Sequence, residues 1–273
     1  MNKKPTLCCI EGGGVRQIEN SLGVLMAMYD QGIVPDYFMG SSAGAIMSAL
    51  MASKLTPQTL WEIVRYTEIE DLFVPQPPYR QVLNFVPGYT AAFYDPSGTY
   101  ALLKEYMTKD AEQYARVAVT KMRSKENSKP LPQMCKATPA TVMASFAIPC
   151  FFPPVVINGA KYEDGGVLNI LPLPEWEDAE QYEHIYIILC NDDVSEADDS
   201  VPCLLKKGVT ALLDTMNRER TFFNKSGWKK REFVTTFETP AYPSSLLDWS
   251  KDRGLVMHAY DYALNKINSE KKK

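Results

Sequence analysis

The sequence has few histidines, no long apolar run and no cluster of basic residues, and each shortage argues against a class of protein. With only two histidines in 273 residues, a serine nucleophile would have few imidazole bases to choose from. The net charge of −4, without a clustered basic face, argues against nucleic-acid binding. The apolar run near the N-terminus is too short for a signal peptide or a membrane span. We therefore expect a cytoplasmic protein.

The cysteines show no spacing typical of a metal site. The six cysteines are scattered along the chain, several of them inside apolar runs: Cys8, Cys9, Cys135, Cys150, Cys190 and Cys203. Buried, reduced thiols of a cytosolic protein explain this pattern most simply. We therefore expect neither a metal nor a cofactor.

The first third of the sequence alternates short β-like runs with amphipathic helical patterns. Residues 6–10 predict a buried strand, residues 18–31 a helix, and residues 33–40 a second strand that leads into an apolar helix. This order is typical of a parallel sheet covered by helices, so we predict an α/β fold. A length of 273 residues fits a single domain over 1–273.

The rest of the chain predicts further elements of the same kind. They are a helix at 98–109, a strand at 114–122, a surface turn at 123–133, a helix at 138–147, a hairpin at 154–169 with Asn158-Gly159 at its turn, and a strand at 184–192. Residues 200–273 predict a mostly helical region. The stretch 66–100, rich in proline and aromatic residues, is either a loop packed by its own side chains or a lid over an apolar site.

Three loops carry residues suited to chemistry, and the first is rich in glycine. Gly12, Gly13 and Gly14 lie between the first strand and the first helix, where backbone N–H groups bind anions. Arg16 adds a positive charge. A dinucleotide site has the same outline, but Gln17 stands where its third glycine would be. The loop therefore predicts an anion site, which includes a transient oxyanion.

The second loop fits the pattern G-x-S-x-G. Gly40, Ser42 and Gly44 lie between the second strand and the following helix. In this context a serine hydroxyl is presented on a sharp turn between small neighbours. The alternative is a serine that only caps the helix. We predict that Ser42 is a nucleophile.

The third loop places Asp164 before two glycines, Gly165 and Gly166. A carboxylate before a glycine turn can be held rigidly while the glycine amides tune its basicity. By itself such a sequence usually forms a structural turn. Its significance therefore depends on the other two loops.

Taken together and in this order, the three loops resemble those of the patatin-like phospholipase family. The matching stretches are Gly12-Gly13-Gly14-x-Arg16, Gly40-Ser41-Ser42-Ala43-Gly44, ASFAIPCFFPP at 144–154, and Asp164-Gly165-Gly166 followed by Asn169 and Pro172. The resemblance covers about residues 5–175, the motif-bearing core. It implies a three-layer α/β/α sandwich with a mostly parallel central sheet.

The resemblance also implies a lipid acyl hydrolase that cleaves ester bonds of glycerophospholipids or related lipids. Ser42 would be the nucleophile and Asp164 the base, in a Ser-Asp dyad that needs no histidine. The oxyanion hole would consist of the glycine loop, with Arg16 nearby. Seven glycines would form or support these loops: Gly12, Gly13, Gly14, Gly40, Gly44, Gly165 and Gly166. The implied partner is a lipid or a membrane surface.

Two alternatives remain open from the residues alone. A Ser-His-Asp esterase of the α/β-hydrolase type would need His184, which begins a strand, or His258, which lies in a helical pattern; a structural role suits both better. The other alternative is a lipid- or nucleotide-binding protein with weakened catalysis. Gln17 stands where the family usually has glycine, and it could shift the loop or fill part of the pocket.

Overall fold

The fold is built around one central sheet with helices on both faces. The computed structural model describes residues 3–77, 92–124, 128–190, 214–215, 217–243 and 249–272. The strands in this part of the chain are β1 (Thr6–Ile10), β2 (Tyr37–Ser41), β3 (Val74–Pro75), β4 (Tyr94–Asp95), β5 (Ala115–Lys121), β6 (Leu131–Lys136), β7 (Val155–Ile157), β8 (Ala160–Asp164), β9 (His184–Leu189) and β10 (Val234–Glu238). The order of the central sheet is β10-β9-β1-β2-β5-β8-β7, with β6 beside β5.

Five neighbouring strands make the sheet mostly parallel. β10, β9, β1, β2 and β5 run in one direction, whereas β6, β7 and β8 are antiparallel to their neighbours. Leu7 to Ile10 of β1 are all buried, as expected for a strand that is covered on both faces. The predicted α/β fold class with a mostly parallel sheet is confirmed.

Helices cover the two faces of the sheet and complete three layers. They are α1 (Val15–Asp30), α2 (Ala43–Ala52), α3 (Pro57–Tyr66), α4 (Ile69–Leu72), α5 (Ser97–Tyr106), α6 (Lys109–Tyr114), α7 (Pro139–Ser145) and α8 (Gly254–Glu270), and residues 217–225 are also helical. Cys8 and Ile10 of β1 face the apolar layer of α1, α2 and α8. Leu7 and Cys9 face the opposite layer, which contains Phe223. Among the described residues, no helix combines the length and the apolar composition of a membrane span.

One edge of β5 determines where the loops meet. β6 occupies the other edge along Arg116–Lys121. β2 runs parallel to β5 and ends where Ser41 pairs with Ala118. β8 arrives from the opposite direction and ends where Asp164 pairs with Val119. The ends of β2 and β8 therefore abut, which brings the residue after Ser41 beside Asp164.

The predicted hairpin is confirmed, but two strands differ from the prediction. Asn158 and Gly159 form its turn with φ values of 49° and 78°, between β7 and β8. β6 begins at Leu131, inside the predicted surface turn, and its first residues are exposed, so no apolar alternation indicates a strand. β10 lies in the region predicted to be helical. The predictions for 78–91 and most of 191–216 lie outside the described residues.

Five of the six cysteines are described, and all five are free thiols. Cys8, Cys9 and Cys190 are buried, whereas Cys135 and Cys150 are partly buried. Burial raises the pKa of each thiol above its ordinary value, which makes the thiolate scarce and the sulfur unreactive. These five agree with the prediction of reduced thiols, while the sixth cysteine lies outside the described residues.

Gly165 is packed too tightly to carry a side chain. A Cβ atom there would lie 2.2 Å from the Ala118 carbonyl oxygen. We expect Gly165→Ala to lower the free energy of unfolding by about 3 kcal/mol, as measured by urea denaturation. Gly159→Ala is the control, because φ is positive there but a Cβ would meet nothing within 4 Å. Its free energy of unfolding should fall by only about 1 kcal/mol. Equal losses would show that the junction of β5 and β8 tolerates a side chain.

Candidate active site

Ser42 lies on a sharp turn between β2 and α2. Its backbone angles are φ 52° and ψ −125°, a conformation that costs a non-glycine residue about 1–3 kcal/mol. The Ser42 N–H donates to Ser145 Oγ at 3.0 Å, which holds the turn. Gly40 and Gly44 flank it, and a Cβ atom on Gly40 would lie 2.1 Å from the Gly44 carbonyl oxygen. Sequence analysis found the small neighbours of Ser42 but missed the role of Ser145.

Asp164 ends β8, and its carboxyl group is fully buried. Oδ2 accepts a hydrogen bond from Ser42 Oγ at 2.7 Å, and Oδ1 accepts one from the Gly166 N–H at 2.6 Å. Burial raises the pKa of Asp164 from 3.8 to about 7; the two hydrogen bonds oppose this rise, and the charge of Glu163 adds to it. A carboxylate with this pKa accepts a proton near neutral pH more readily than an exposed aspartate does.

The glycine loop lies directly against Ser42. A Cβ atom on Gly12 would be 3.1 Å from Ser42 Cβ, and the Gly12 N–H donates to the Ile170 carbonyl oxygen at 2.9 Å. Gly14 precedes α1 with φ 68°. The N–H groups of Gly13 and Gly14 donate to no other residue in the described ranges. Two N–H groups at the N-terminus of α1 are therefore available to an anion.

Arg16 supports this loop from inside the protein. The residue is 4% exposed, and its Nε donates to the Gly13 carbonyl oxygen at 3.3 Å. Nη2 is buried without a hydrogen-bond partner among the residues that the structure describes. A buried guanidinium in this position keeps positive charge close to the loop, which favours an anion there.

Gln17 is fully buried, and its side chain faces the end of β9. Nε2 donates to the Ile188 carbonyl oxygen at 3.3 Å, and Oε1 accepts a hydrogen bond from Asn20 Nδ2 at 2.9 Å. Asn20 also donates to the Leu189 carbonyl oxygen. The glutamine therefore ties α1 to β9.

The two histidines lie away from the serine and the aspartate. His184 begins β9 where it pairs with Thr6, at the opposite end of the parallel strands. Its Nε2 is 3.0 Å from Thr235 Oγ1, and burial lowers its pKa. His258 lies on α8, with Nε2 3.2 Å from the Pro240 carbonyl oxygen. Both histidines have structural contacts, and neither forms a hydrogen bond with the candidate nucleophile.

A buried ion pair that was not predicted from the sequence lies next to the glycine loop. Glu11 immediately precedes the loop, and its carboxylate accepts hydrogen bonds from Arg220 Nε at 3.1 Å and Nη2 at 2.8 Å. It also accepts the Cys190 N–H at 2.7 Å. An acidic residue at the end of a buried strand signals a need for a cationic partner. That partner is 209 residues away, so spacing alone cannot identify it.

The sequence was compared with known protein families and with curated proteins. The profile of the family described as Patatin-like phospholipase matches residues 8–175. The matched range includes all three loops and the stretch 144–154. No curated protein matches the sequence.

Solved structures that superpose on this chain share little sequence identity with it. VipD from Legionella pneumophila is 14% identical with a TM-score of 0.49, over 98% of this chain and 67% of VipD. The type III effector ExoU, from Pseudomonas aeruginosa, is 14% identical with a TM-score of 0.45, over 99% of this chain and 54% of ExoU. Human GIVD cytosolic phospholipase A2 is 10% identical with a TM-score of 0.40, over 98% of this chain and 58% of the phospholipase. The chain thus spans little more than half the length of the last two.

The raised pKa of Asp164 predicts how stability depends on pH. The folded state keeps the proton up to about pH 7, whereas the unfolded state releases it near 3.8, so this group destabilises the folded state as the pH rises between these values. We expect the free energy of unfolding of Asp164→Asn, relative to that of the wild type, to increase by about 4 kcal/mol from pH 4 to pH 8. Urea denaturation at both pH values measures this difference. Asp178→Asn is the control, because it makes the same substitution at an exposed position. A gain that does not change with pH would contradict the burial argument.

Proposed function

The chain belongs to the patatin-like phospholipase family, and on this premise we propose that it hydrolyses lipid acyl esters with Ser42 as nucleophile and Asp164 as general base. The observation that carries the proposal is the 2.7 Å hydrogen bond from Ser42 Oγ to Asp164 Oδ2. Covalent catalysis requires a nucleophile and a base within hydrogen-bond reach. Family membership supports lipid ester hydrolysis, and the geometry supports the roles of these two residues.

In the first half of the reaction, an acyl group is transferred to the enzyme. Ser42 Oγ attacks the carbonyl carbon of the ester while its proton moves to Asp164, and the carbonyl electron pair moves onto oxygen. As the tetrahedral intermediate collapses, the bond to the alcohol breaks, and the protonated Asp164 gives its proton to the leaving oxygen. An acyl ester of Ser42 remains.

In the second half, water releases the fatty acid. Asp164 takes a proton from water as the water oxygen attacks the acyl carbon, and the second tetrahedral intermediate then expels Ser42 Oγ. The proton held by Asp164 passes to Ser42, which restores both groups. The pKa of about 7 suits both proton transfers, because a general base works best when its pKa is near the working pH.

The oxyanion of both intermediates would be stabilised by the glycine loop. The N–H groups of Gly13 and Gly14 are the donors that we propose, because the Gly12 N–H already donates to Ile170. Arg16 would act through its charge and through its hydrogen bond to the Gly13 carbonyl. Each such donor typically lowers the barrier by about 2.7–4 kcal/mol.

The acyl chain would need an apolar surface close to Ser42. A cavity of about 40 Å³ lies among the helices α1 to α5, with Ile46 and Phe73 among its apolar lining residues. It would have to widen to hold an acyl chain. Phe73 belongs to the stretch 66–100, the candidate lid, whose residues 78–91 lie outside the described ranges. The lid therefore stays a prediction.

A fluorophosphonate probe tests the nucleophile, because it bonds covalently to an activated serine. We expect labelling of Ser42 in the wild type, located by peptide mass spectrometry, and none in Ser42→Ala. Asp164→Asn should react at least about 10²-fold more slowly. His184→Ala and His258→Ala are the controls and should react at the wild-type rate. Lost labelling in a folded histidine variant would contradict the role of Asp164, and an unlabelled wild type would favour a binding protein.

The proposed base also predicts a pH profile. Since Asp164 acts in its ionised form, kcat/KM for a soluble ester should rise with pH through an inflection near 7. The negative charge of Glu163 raises the pKa of Asp164, so Glu163→Gln should move the inflection to lower pH. The background rate measured with Ser42→Ala is subtracted at each pH. A profile that is flat from about pH 5 to 9 would exclude Asp164 as the base.

A further inference from the structure

Residues 217–225, which we call the bracing segment, lie against the carboxyl ends of β1 and β9. They pack on the face of the sheet opposite α1, where Phe223 is buried in the second apolar cluster. Two consecutive residues of this segment, Glu219 and Arg220, extend to different loops of the candidate site. The segment lies within residues 200–273, which the sequence predicts only as mostly helical.

Arg220 holds the residue that precedes the glycine loop. Its guanidinium binds both carboxylate oxygens of Glu11, at 3.1 Å and 2.8 Å, and also donates to the Cys190 carbonyl oxygen. A bidentate arrangement of this kind fixes direction as well as distance. Because Glu11 is covalently joined to Gly12, the start of the glycine loop is fixed relative to the bracing segment.

Glu219 holds the loop that follows Asp164. Its Oε2 accepts the Leu171 N–H at 2.8 Å. Just before the bracing segment, Thr215 Oγ1 donates to the Val167 carbonyl oxygen at 3.0 Å. Glu219 is partly buried. This burial raises its pKa to about 7, and the hydrogen bond from the Leu171 N–H opposes the rise.

The two loops are also joined to each other. The Gly12 N–H donates to the Ile170 carbonyl oxygen at 2.9 Å, and a Cβ on Gly12 would lie 2.5 Å from Ile170 Cδ1. A shift of the bracing segment would therefore move the glycine loop and the Asp164 loop together. Both loops are in contact with Ser42, so such a shift would alter the distances at the nucleophile.

Stability alone is a poor explanation for the ion pair. Taking two charges out of water is costly, and apolar residues of similar volume often pack at least as well. The buried Phe223 already anchors the segment. What a bidentate pair adds is a defined geometry, and this pair is directed at the residue before the glycine loop.

We propose that Glu219 and Arg220 are positioning residues, which hold the glycine loop and the Asp164 loop at the distances from Ser42 that the reaction needs. This inference rests on the proposed function. The N–H groups of the loop would bind the oxyanion more strongly than the substrate carbonyl. Misplacing them would therefore lower kcat and leave KM nearly unchanged.

The test compares variants of the full chain on p-nitrophenyl butyrate, a soluble ester. We expect Arg220→Met to lower kcat about 100-fold with KM within about twofold of wild type. Arg220→Lys keeps the charge without the bidentate geometry and should recover part of kcat. Lys225→Met is the matched control, because it removes a cation from an exposed position of the same segment, and it should keep the wild-type kcat.

Glu219 supplies a second pair of variants if Arg220→Met does not fold. Glu219→Ala removes the acceptor of the Leu171 N–H and should lower kcat about tenfold. Glu219→Gln retains an oxygen acceptor and should keep most of the activity. Hydrogen exchange gives a readout that needs no substrate: amides in 165–175 should exchange faster in Glu219→Ala than in Lys225→Met.

The outcomes separate this inference from the proposed function. Folded variants of Arg220 and Glu219 with the wild-type kcat, or with losses confined to KM, would overturn the positioning role while the wild type remained active. If the proposed function itself is wrong, the wild type will show neither hydrolysis that depends on Ser42 nor labelling. A fall in kcat together with faster exchange, and recovery in Glu219→Gln, would support the inference.

Discussion

β2 and β8 pair with the same edge of β5 from opposite directions, and neither strand can extend further without meeting the other. The chain must therefore leave the sheet abruptly at both ends. β2 turns into α2 at Ser42, which accepts a strained backbone conformation, and β8 turns at Gly165, where a Cβ would collide with β5. The 2.7 Å contact between the Ser42 hydroxyl and the Asp164 carboxylate joins residues 122 positions apart, and it is a direct consequence of this junction.

The same junction removes water from Asp164, and this explains how the proposed reaction can proceed without histidine. An exposed aspartate has a pKa near 3.9 and is a weak base for a hydroxyl, whereas histidine titrates near 6.5. Burial brings Asp164 to about 7, within the range of an ordinary imidazole. The strain at Ser42 and the desolvation of Asp164 both destabilise the folded state. The buried cores on the two faces of the sheet offset these costs.

Local patterns predicted the parts of the structure that depend on neighbouring residues. The strand at 6–10, the turn at Asn158-Gly159 and the serine between strand and helix follow from periodicity and turn chemistry. β6 was not predicted, because none of its side chains is fully buried and no apolar alternation marks the strand. β10 was not predicted, because its partner β9 lies far earlier in the chain. The brace between Glu11 and Arg220 could not be predicted either, since it depends on how the C-terminal half folds back over the glycine loop.

The buried charges explain why the position of the glycine loop matters. Glu11 is neutralised by its bidentate pairing with Arg220, whereas Arg16 Nη2 has no partner within the described residues. In the proposed reaction, proton transfer neutralises Asp164 as one negative charge forms on the oxyanion, so the total charge of the buried site stays constant. The charge moves towards the loop N–H groups and Arg16. Dipoles that are already oriented stabilise such a charge without reorganisation, and a loop braced from two sides meets that condition before the substrate arrives.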